Sequence, residues 1–202
     1  DRTIRYIKLL KKWFGKDFHI HLYTPFQLVN VKSMQKLYDA GTDRYLLRHE
    51  TASRRLYEHI HPSFMSFDNR RQCLDNLKEI GYQVGGGFMV GSPTQTNEDL
   101  VEDLNYLKEL NPHMVGIGPY LCHSDTELAG NASGTLDETL VMVALVRLIL
   151  PKALLPATTA LGSLHPIGRE KALKVLSDSE NSPFLTDIKK AEIKMLMALS
   201  FS

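Results

Sequence analysis

The chain has 202 residues, of which 43% are hydrophobic and 23% are charged, and its formal net charge at pH 7 is +1. This composition is typical of a soluble globular domain, and the small charge gives no electrostatic argument for a nucleic-acid or membrane partner. No apolar segment approaches the roughly 20 residues that span a bilayer, and we expect no secretory leader. The two cysteines, Cys73 and Cys122, lie far apart, which argues against a disulfide scaffold and predicts a cytoplasmic location.

Helical and extended patterns alternate along the chain. Apolar residues recur with helical spacing in the first fourteen residues, and capping-box patterns at Thr96 and Thr135 mark the beginnings of two later helices. Gly15, Gly41 and Gly81 are expected helix ends. The predicted helices are 2–14, 31–39, 68–80, 96–110 and 135–150, and the predicted strands are 18–23, 44–50, 83–90, 114–121 and 154–160.

About five strands separated by helices predict an α/β fold with a parallel sheet. The alternatives are an open doubly wound sheet and a partial (βα) TIM-type barrel, and both place functional residues at the carboxyl ends of strands. Polar residues or glycines follow most of the predicted strands, which favours the partial barrel, with about five parallel strands and flanking helices, over residues 1–174. Residues 175–202 do not continue the pattern and are predicted to form a divergent helical tail with a short helix at 187–199.

The strand at 44–50 ends in two opposite charges, Arg48 and Glu50. Alternation with a period of two places both on one face of the strand, while Tyr45, Leu47 and His49 lie on the other. An unpaired buried charge is costly, so these two groups must pair with each other or with a ligand. Two interpretations stay open. The charges form either a structural ion pair at a barrel rim or a site for a ligand that has both an ammonium and a carboxylate group.

Further positions have two interpretations each. Arg70 lies near the start of a helix, where a cation opposes the helix dipole, so it is either a carboxylate-binding residue or a surface arginine. The run 85–87 places three glycines inside a strand, which indicates either a flat ligand against the backbone or a bulge or tight packing. Thr158 and Thr159 either line a polar cavity or are strand residues without a functional role.

Several segments together resemble a known family, and these are 44–52, 69–70, 81–96, 99–104, 114–119, 156–160 and 168–170. They resemble the radical S-adenosylmethionine (SAM) maturases of iron-only hydrogenase, the HydE family, and also its relatives biotin synthase and methylornithine synthase. The resemblance implies a (βα) barrel whose carboxyl end holds SAM and a 4Fe-4S cluster, which cleaves SAM reductively to a 5′-deoxyadenosyl radical.

The resemblance also implies roles for individual residues. Glu50 would accept hydrogen bonds from the SAM ammonium group, Arg70 would bind the SAM carboxylate, and Arg48 would lie beside them. Met89 and Ile117 would border the adenine. These five positions form the SAM-binding set that the resemblance implies.

The same resemblance implies that Thr158 and Thr159 line the cavity of a small-molecule substrate. The implied partners are the hydrogenase maturation machinery and an electron donor. The family's C-x3-C-x2-C motif is absent, so no catalytic and no metal-binding residue is assigned here; the motif and about two strands would precede residue 1. The open functions are a HydE-type enzyme in hydrogenase cofactor assembly, a non-catalytic fragment, and a biotin synthase-like or methylornithine synthase-like activity.

Overall fold

A computed structural model describes residues 2–15, 17–23 and 30–177. Helices and strands alternate through this part of the chain, as the sequence predicts. The helices are α1 (Arg2–Phe14), α2 (Val31–Asp39), α3 (Arg54–Ile60), α4 (Phe67–Ile80), α5 (Asn97–Leu110), α6 (Leu136–Ile149), α7 (Thr159–Leu164) and α8 (Gly168–Ser177). The strands are β1 (His21–Tyr23), β2 (Arg44–Leu46), β3 (Gln83–Gly86), β4 (Met89–Val90), β5 (Met114–Val115) and β6 (Gly118–Pro119).

The strands form a parallel sheet whose spatial order follows the chain, β1-β2-β3-β5. Strands β4 and β6 continue β3 and β5 after short interruptions and pair with each other in parallel. A parallel β-bridge between Met114 and Leu154 extends the sheet by one residue beyond β5. An order without reversal is the order of a (βα) barrel, whereas a doubly wound sheet reverses at a switch point. The predicted partial-barrel fold class is therefore confirmed.

Helices cover one face of this sheet. The side chains of Tyr45, Leu47 and Val84 pack in one buried cluster with Met34 of α2 and Leu77 of α4. A second cluster packs Val90 of β4 and Val115 of β5 against α5, α6 and α8. The opposite face of β2, which includes Leu46, is only partly covered. This arrangement leaves the face that carries Arg48 and Glu50 partly accessible.

Local sequence signals determine several helix ends. Thr96 and Asp99 form the predicted capping box at the start of α5. The Thr135 side chain accepts a hydrogen bond from the Glu138 N–H at the start of α6. Gly81 ends α4 with φ of +104°, a left-handed conformation in which glycine has no Cβ to clash. These ends match the predicted ones within two residues.

Other predicted elements differ from the structure. The strand predicted at 154–160 is wrong beyond Leu154, because Pro156 has no N–H to donate to a neighbouring strand and Thr158 is the N-cap of α7. The predicted strands at 83–90 and 114–121 are interrupted, and helices α3, α7 and α8 were not predicted.

Helix α8 crosses the predicted domain boundary after residue 174. The remainder of the predicted tail, with the helix at 187–199, lies outside the described residues, so the boundary stays a prediction. No helix within the described ranges combines the length and the apolar character needed to cross a bilayer.

Candidate functional site

The two opposite charges that follow β2, Arg48 and Glu50, meet at the carboxyl end of the sheet. Arg48 Nη2 lies 3.2 Å from Glu50 Oε2, and the two side chains are 21% and 16% exposed. The same Nη2 donates a hydrogen bond to the Phe88 carbonyl at 2.8 Å. Arg48 Nε is buried and has no hydrogen-bond partner within the described part of the chain. The pair is thus partly accessible, and one of its polar atoms lacks a partner.

Glu50 has an unusual backbone conformation. Its φ is +69°, a left-handed conformation that costs a residue with a Cβ about 1–2 kcal/mol. Hydrogen bonds hold it there, since Glu50 N–H donates to the Gly87 carbonyl at 3.0 Å and the Glu50 carbonyl accepts from Met89 N–H at 3.0 Å. Strained residues of this kind cluster at functional sites.

Arg70 lies directly beneath this pair and is only 2% exposed. Its Nη1 donates to the Arg48 carbonyl at 2.8 Å, and its Nε donates to the Tyr57 hydroxyl at 2.9 Å. The interpretation of Arg70 as a surface arginine is therefore wrong, because α4 begins at Phe67 and turns this residue toward the sheet. The buried Arg70 guanidinium thus lies next to the Arg48–Glu50 pair, because it donates a hydrogen bond to the Arg48 carbonyl.

The remaining predicted residues lie around this centre. Met89 directly follows the Glu50–Phe88 bridge and borders a cavity of about 410 Å³ with His61 and Tyr120. Ile117 is buried, and its carbonyl accepts a hydrogen bond from the Thr158 hydroxyl at 3.1 Å. The structure thus joins Ile117 to Thr158.

Thr159, by contrast, is exposed as the first residue of α7. A larger cavity of about 550 Å³ lies at the opposite, amino end of the strands, between Arg44, Gln83 and Lys152. Its position does not match that of functional residues in parallel α/β folds, which lie at the carboxyl end.

The glycine run is explained by close packing of two strands. A Cβ atom at Gly87 would lie 2.1 Å from the Gly116 carbonyl oxygen, and one at Gly85 would lie 2.7 Å from Leu46. The tight-packing interpretation is therefore confirmed at these positions. A Cβ atom at Gly116 would lie 3.8 Å from Arg48 Cδ, so this second glycine borders the Arg48 stem.

Two residues that the sequence reasoning did not single out support the site from below. His49 and Asp103 are 1% and 0% exposed, with Nε2 of His49 3.3 Å from Oδ1 of Asp103. Burial raises the pKa of Asp103 above its usual value, although His49 and the Ala52 N–H act in the opposite direction. Asp103 shares the helical spacing of Leu104 and Leu107, so an acid on the apolar face of α5 was the available signal.

His61 is a further neighbour that the sequence did not identify. Its ring stacks on Tyr57 at a centroid distance of 4.0 Å. Burial lowers the pKa of His61, and the nearby Arg70 charge lowers it further, whereas the Tyr57 carbonyl and Glu50 act to raise it. The neutral imidazole is therefore favoured beside the arginine.

The donor set fits one of the two groups that the resemblance implies. Arg48 and Glu50 offer opposite charges at hydrogen-bonding range of each other, and the unpartnered Arg48 Nε adds a donor, which suits a ligand with an ammonium and a carboxylate group such as SAM. Cys73 is not placed to bind a 4Fe-4S cluster, because it is buried in the core and burial raises its pKa. Within the described ranges, no group of three His, Cys, Asp or Glu residues is placed to hold a metal ion.

Comparison with known proteins identifies the family of the chain. The chain matches the Radical SAM superfamily over residues 1–107. It is 53% identical over 140 residues to the [FeFe] hydrogenase maturase subunit HydE of Thermotoga maritima, covering 69% of this chain and 40% of that protein. It is 27% identical over 158 residues to 3-methylornithine synthase of Methanosarcina acetivorans, covering 78% of this chain and 43% of the synthase.

A solved structure shows the same fold. The crystal structure of methylornithine synthase (PylB) superposes with a TM-score of 0.72 at 24% identity, covering 90% of this chain and 52% of that one. The chain spans about two fifths of the length of the curated relatives that it matches. More than half of its residues match the family model, and the chain belongs to the radical SAM superfamily.

Proposed function

We propose that the chain is the SAM-binding part of a HydE-type radical SAM enzyme that assembles the active-site cofactor of iron-only hydrogenase. The observation that carries this proposal is the partly exposed Arg48–Glu50 pair above the buried Arg70 at the carboxyl end of the sheet. The 53% identity to a hydrogenase maturase supports the specific activity. The proposed location is the cytoplasm, and the proposed partners are the maturation machinery, an electron donor and a small-molecule substrate.

In this proposal the Glu50 carboxylate accepts hydrogen bonds from the SAM ammonium group. Arg70 binds the SAM carboxylate, and Arg48 adds positive charge next to it through its partly exposed guanidinium. Met89 and Ile117 border the adenine. Bound SAM supplies a 5′-deoxyadenosyl radical when it is cleaved reductively, and the residues of this chain bind and orient it.

The substrate is proposed to bind beside SAM, next to Thr158 and Thr159. Thr158 is held by its hydrogen bond to the Ile117 carbonyl, and this bond links the proposed substrate side to the proposed adenine side. Since this sequence contains only Cys73 and Cys122, we assign the reductive step to no residue within it.

Calorimetric titration of the purified chain with SAM tests the proposal. We expect saturable binding that weakens about tenfold or more in Glu50→Gln and Arg70→Lys, because each change removes charge-assisted hydrogen bonds. Glu79→Ala and Arg5→Ala are matched controls, since both side chains are exposed and lie away from the site. A chain that circular dichroism shows to be folded and that binds no SAM would overturn the proposal.

A methylornithine synthase-type activity is a second candidate, because the fold similarity to that enzyme covers most of the chain. This candidate activity predicts that a small amino acid binds next to Thr158 and Thr159. Titration with 3-methylornithine in the presence of SAM distinguishes the two. Binding that is lost in Thr158→Val favours the synthase type, and absence of binding by a chain that binds SAM favours the maturase type.

A further inference from the structure

We propose that the buried pair of His49 and Asp103 is a positioning element that holds Glu50 in its ligand-binding conformation. This inference rests on the proposed SAM site and names residues that act on it without touching the ligand. Both side chains lie on the helix-facing side of the sheet, away from Arg48 and Glu50. Neither has contact with the accessible face, since both are almost completely buried.

The pair fixes the chain on both sides of Glu50. On the amino-terminal side, the His49 ring is anchored because its Nδ1 accepts a hydrogen bond from the Gly87 N–H at 3.2 Å. On the carboxyl-terminal side, the Asp103 carboxylate accepts hydrogen bonds from the Ala52 N–H and, at 3.5 Å, from the Thr51 hydroxyl. Glu50 is thus the one residue between two anchored neighbours.

Gly87 is hydrogen-bonded through both its N–H and its carbonyl. Its N–H donates to Nδ1 of His49, whose Nε2 lies 3.3 Å from Oδ1 of Asp103. The same Gly87 residue accepts a hydrogen bond from the Glu50 N–H through its carbonyl. Gly87 is therefore hydrogen-bonded to the His49 ring through its N–H and to the Glu50 N–H through its carbonyl.

The strain at Glu50 explains why such an element is needed. A left-handed conformation at a residue with a Cβ persists only where the surroundings over-determine it. The hydrogen bonds from Glu50 N–H and to its carbonyl contribute, but both partners lie on the neighbouring strand segment at 87–89. The His49–Asp103 pair connects that segment to α5, which carries Asp103. Without the pair, the Glu50 carboxylate is free to leave its position next to Arg48.

The test is SAM affinity measured by calorimetry together with the thermal midpoint of unfolding. In Asp103→Asn, an amide replaces an acceptor that faces His49 Nε2, and in His49→Phe the ring remains but its nitrogens are lost. We expect both variants to bind SAM about tenfold more weakly or worse. His49→Asn keeps an acceptor in the position of Nδ1 and should retain more affinity than His49→Phe.

A double-variant cycle separates positioning from general stability. If the pair acts through Glu50, Asp103→Asn causes no further loss in a Glu50→Gln background. The control is Tyr106→Phe, because the Tyr106 ring packs edge-on against His49 at 4.9 Å and its buried hydroxyl makes no hydrogen bond within the described part of the chain. This variant should bind SAM as the wild type does, even where its thermal midpoint changes.

The outcomes are distinct. Wild-type affinity in Asp103→Asn and His49→Phe, or losses that add to that of Glu50→Gln, would overturn the positioning role and leave the proposed function intact. A folded wild-type chain that binds no SAM would overturn both proposals together. If His49→Phe does not fold, Asp103→Asn and His49→Asn decide the question.

Discussion

Gly87→Ala is expected to destabilise the chain strongly, because Gly87 lies where two strand segments approach each other most closely. A Cβ atom there would lie 2.1 Å from the Gly116 carbonyl oxygen, whereas real Cβ atoms stay at 3.0 Å or more. Gly87 also has φ of +152°, which side chains rarely adopt. The neighbouring backbone is fixed, since Gly116 N–H donates to the Gly86 carbonyl at 2.9 Å.

The magnitude follows from these contacts. Relief of the clash requires the two segments to separate by about 1 Å, which breaks at least the hydrogen bond between Gly116 and Gly86 at a cost of about 1 kcal/mol. The unfavourable backbone conformation of an alanine adds about 1–3 kcal/mol. The free energy of unfolding should therefore fall by about 3 kcal/mol. For a chain of this size, the thermal midpoint should fall by roughly 6–12 °C.

Thermal and urea denaturation, followed by circular dichroism, measure this change. Gly116→Ala is the matched control, because its Cβ atom would meet only Arg48 Cδ at 3.8 Å and the Gly86 carbonyl at 3.9 Å, which are ordinary contacts. We expect that variant to lose less than about 1 kcal/mol. Equal losses in the two variants, or a Gly87→Ala protein within about 1 kcal/mol of the wild type, would refute the close-contact argument.

Two further predictions concern Glu50 and Asp43. The free energy of unfolding of Glu50→Gly should exceed that of Glu50→Ala by about 1 kcal/mol, because only glycine adopts φ of +69° without strain. Glu50→Gly should therefore have the higher thermal midpoint, and equal midpoints in thermal denaturation would contradict this. Burial acts to raise the pKa of Asp43, but hydrogen bonds from Lys11 and the Ile20 N–H outweigh it and lower the pKa below 3.8. Its stabilising contribution is therefore present above pH 3.8 and is lost as the pH falls through the lower folded-state pKa. The free energy of unfolding, measured by urea denaturation at a series of pH values from about 6 to 2, should fall less with decreasing pH in Asp43→Asn than in the wild type. An equal pH dependence in the two proteins would contradict the assignment.

The alternation of side chains over β2 and the four residues that follow it shows how much of the site the sequence predicts. A period of two correctly placed Arg48 and Glu50 on one face and Tyr45, Leu47 and His49 on the other. The burial of the second set and the partial exposure of the first confirm this. Alternation follows from the geometry of an extended chain, so it needs no knowledge of the neighbouring strands.

The contacts of Arg70 and Asp103 show what the sequence does not predict. The spacing of apolar residues left Arg70 as either a surface or a binding residue, and its burial became clear only from its hydrogen bonds to Tyr57 and the Arg48 carbonyl. Asp103 contacts His49 across a large separation in the chain. Such contacts depend on how a helix lies on the sheet, and local patterns contain no information about that placement.

The sequence alone determined the alternation of helices and strands as far as α6, apart from α3, together with the capping residues, the two faces of the segment 44–50 and the membership of the family. These features depend on periodicity, on backbone preferences of single residues and on segments that recur in relatives. Only the tertiary structure decided that the strands at 83–90 and 114–121 break where Gly87 meets Gly116, and that Glu50 turns into a left-handed conformation above His49. Both features arise because paired strands share hydrogen bonds and space, so each segment takes the conformation that its neighbour permits.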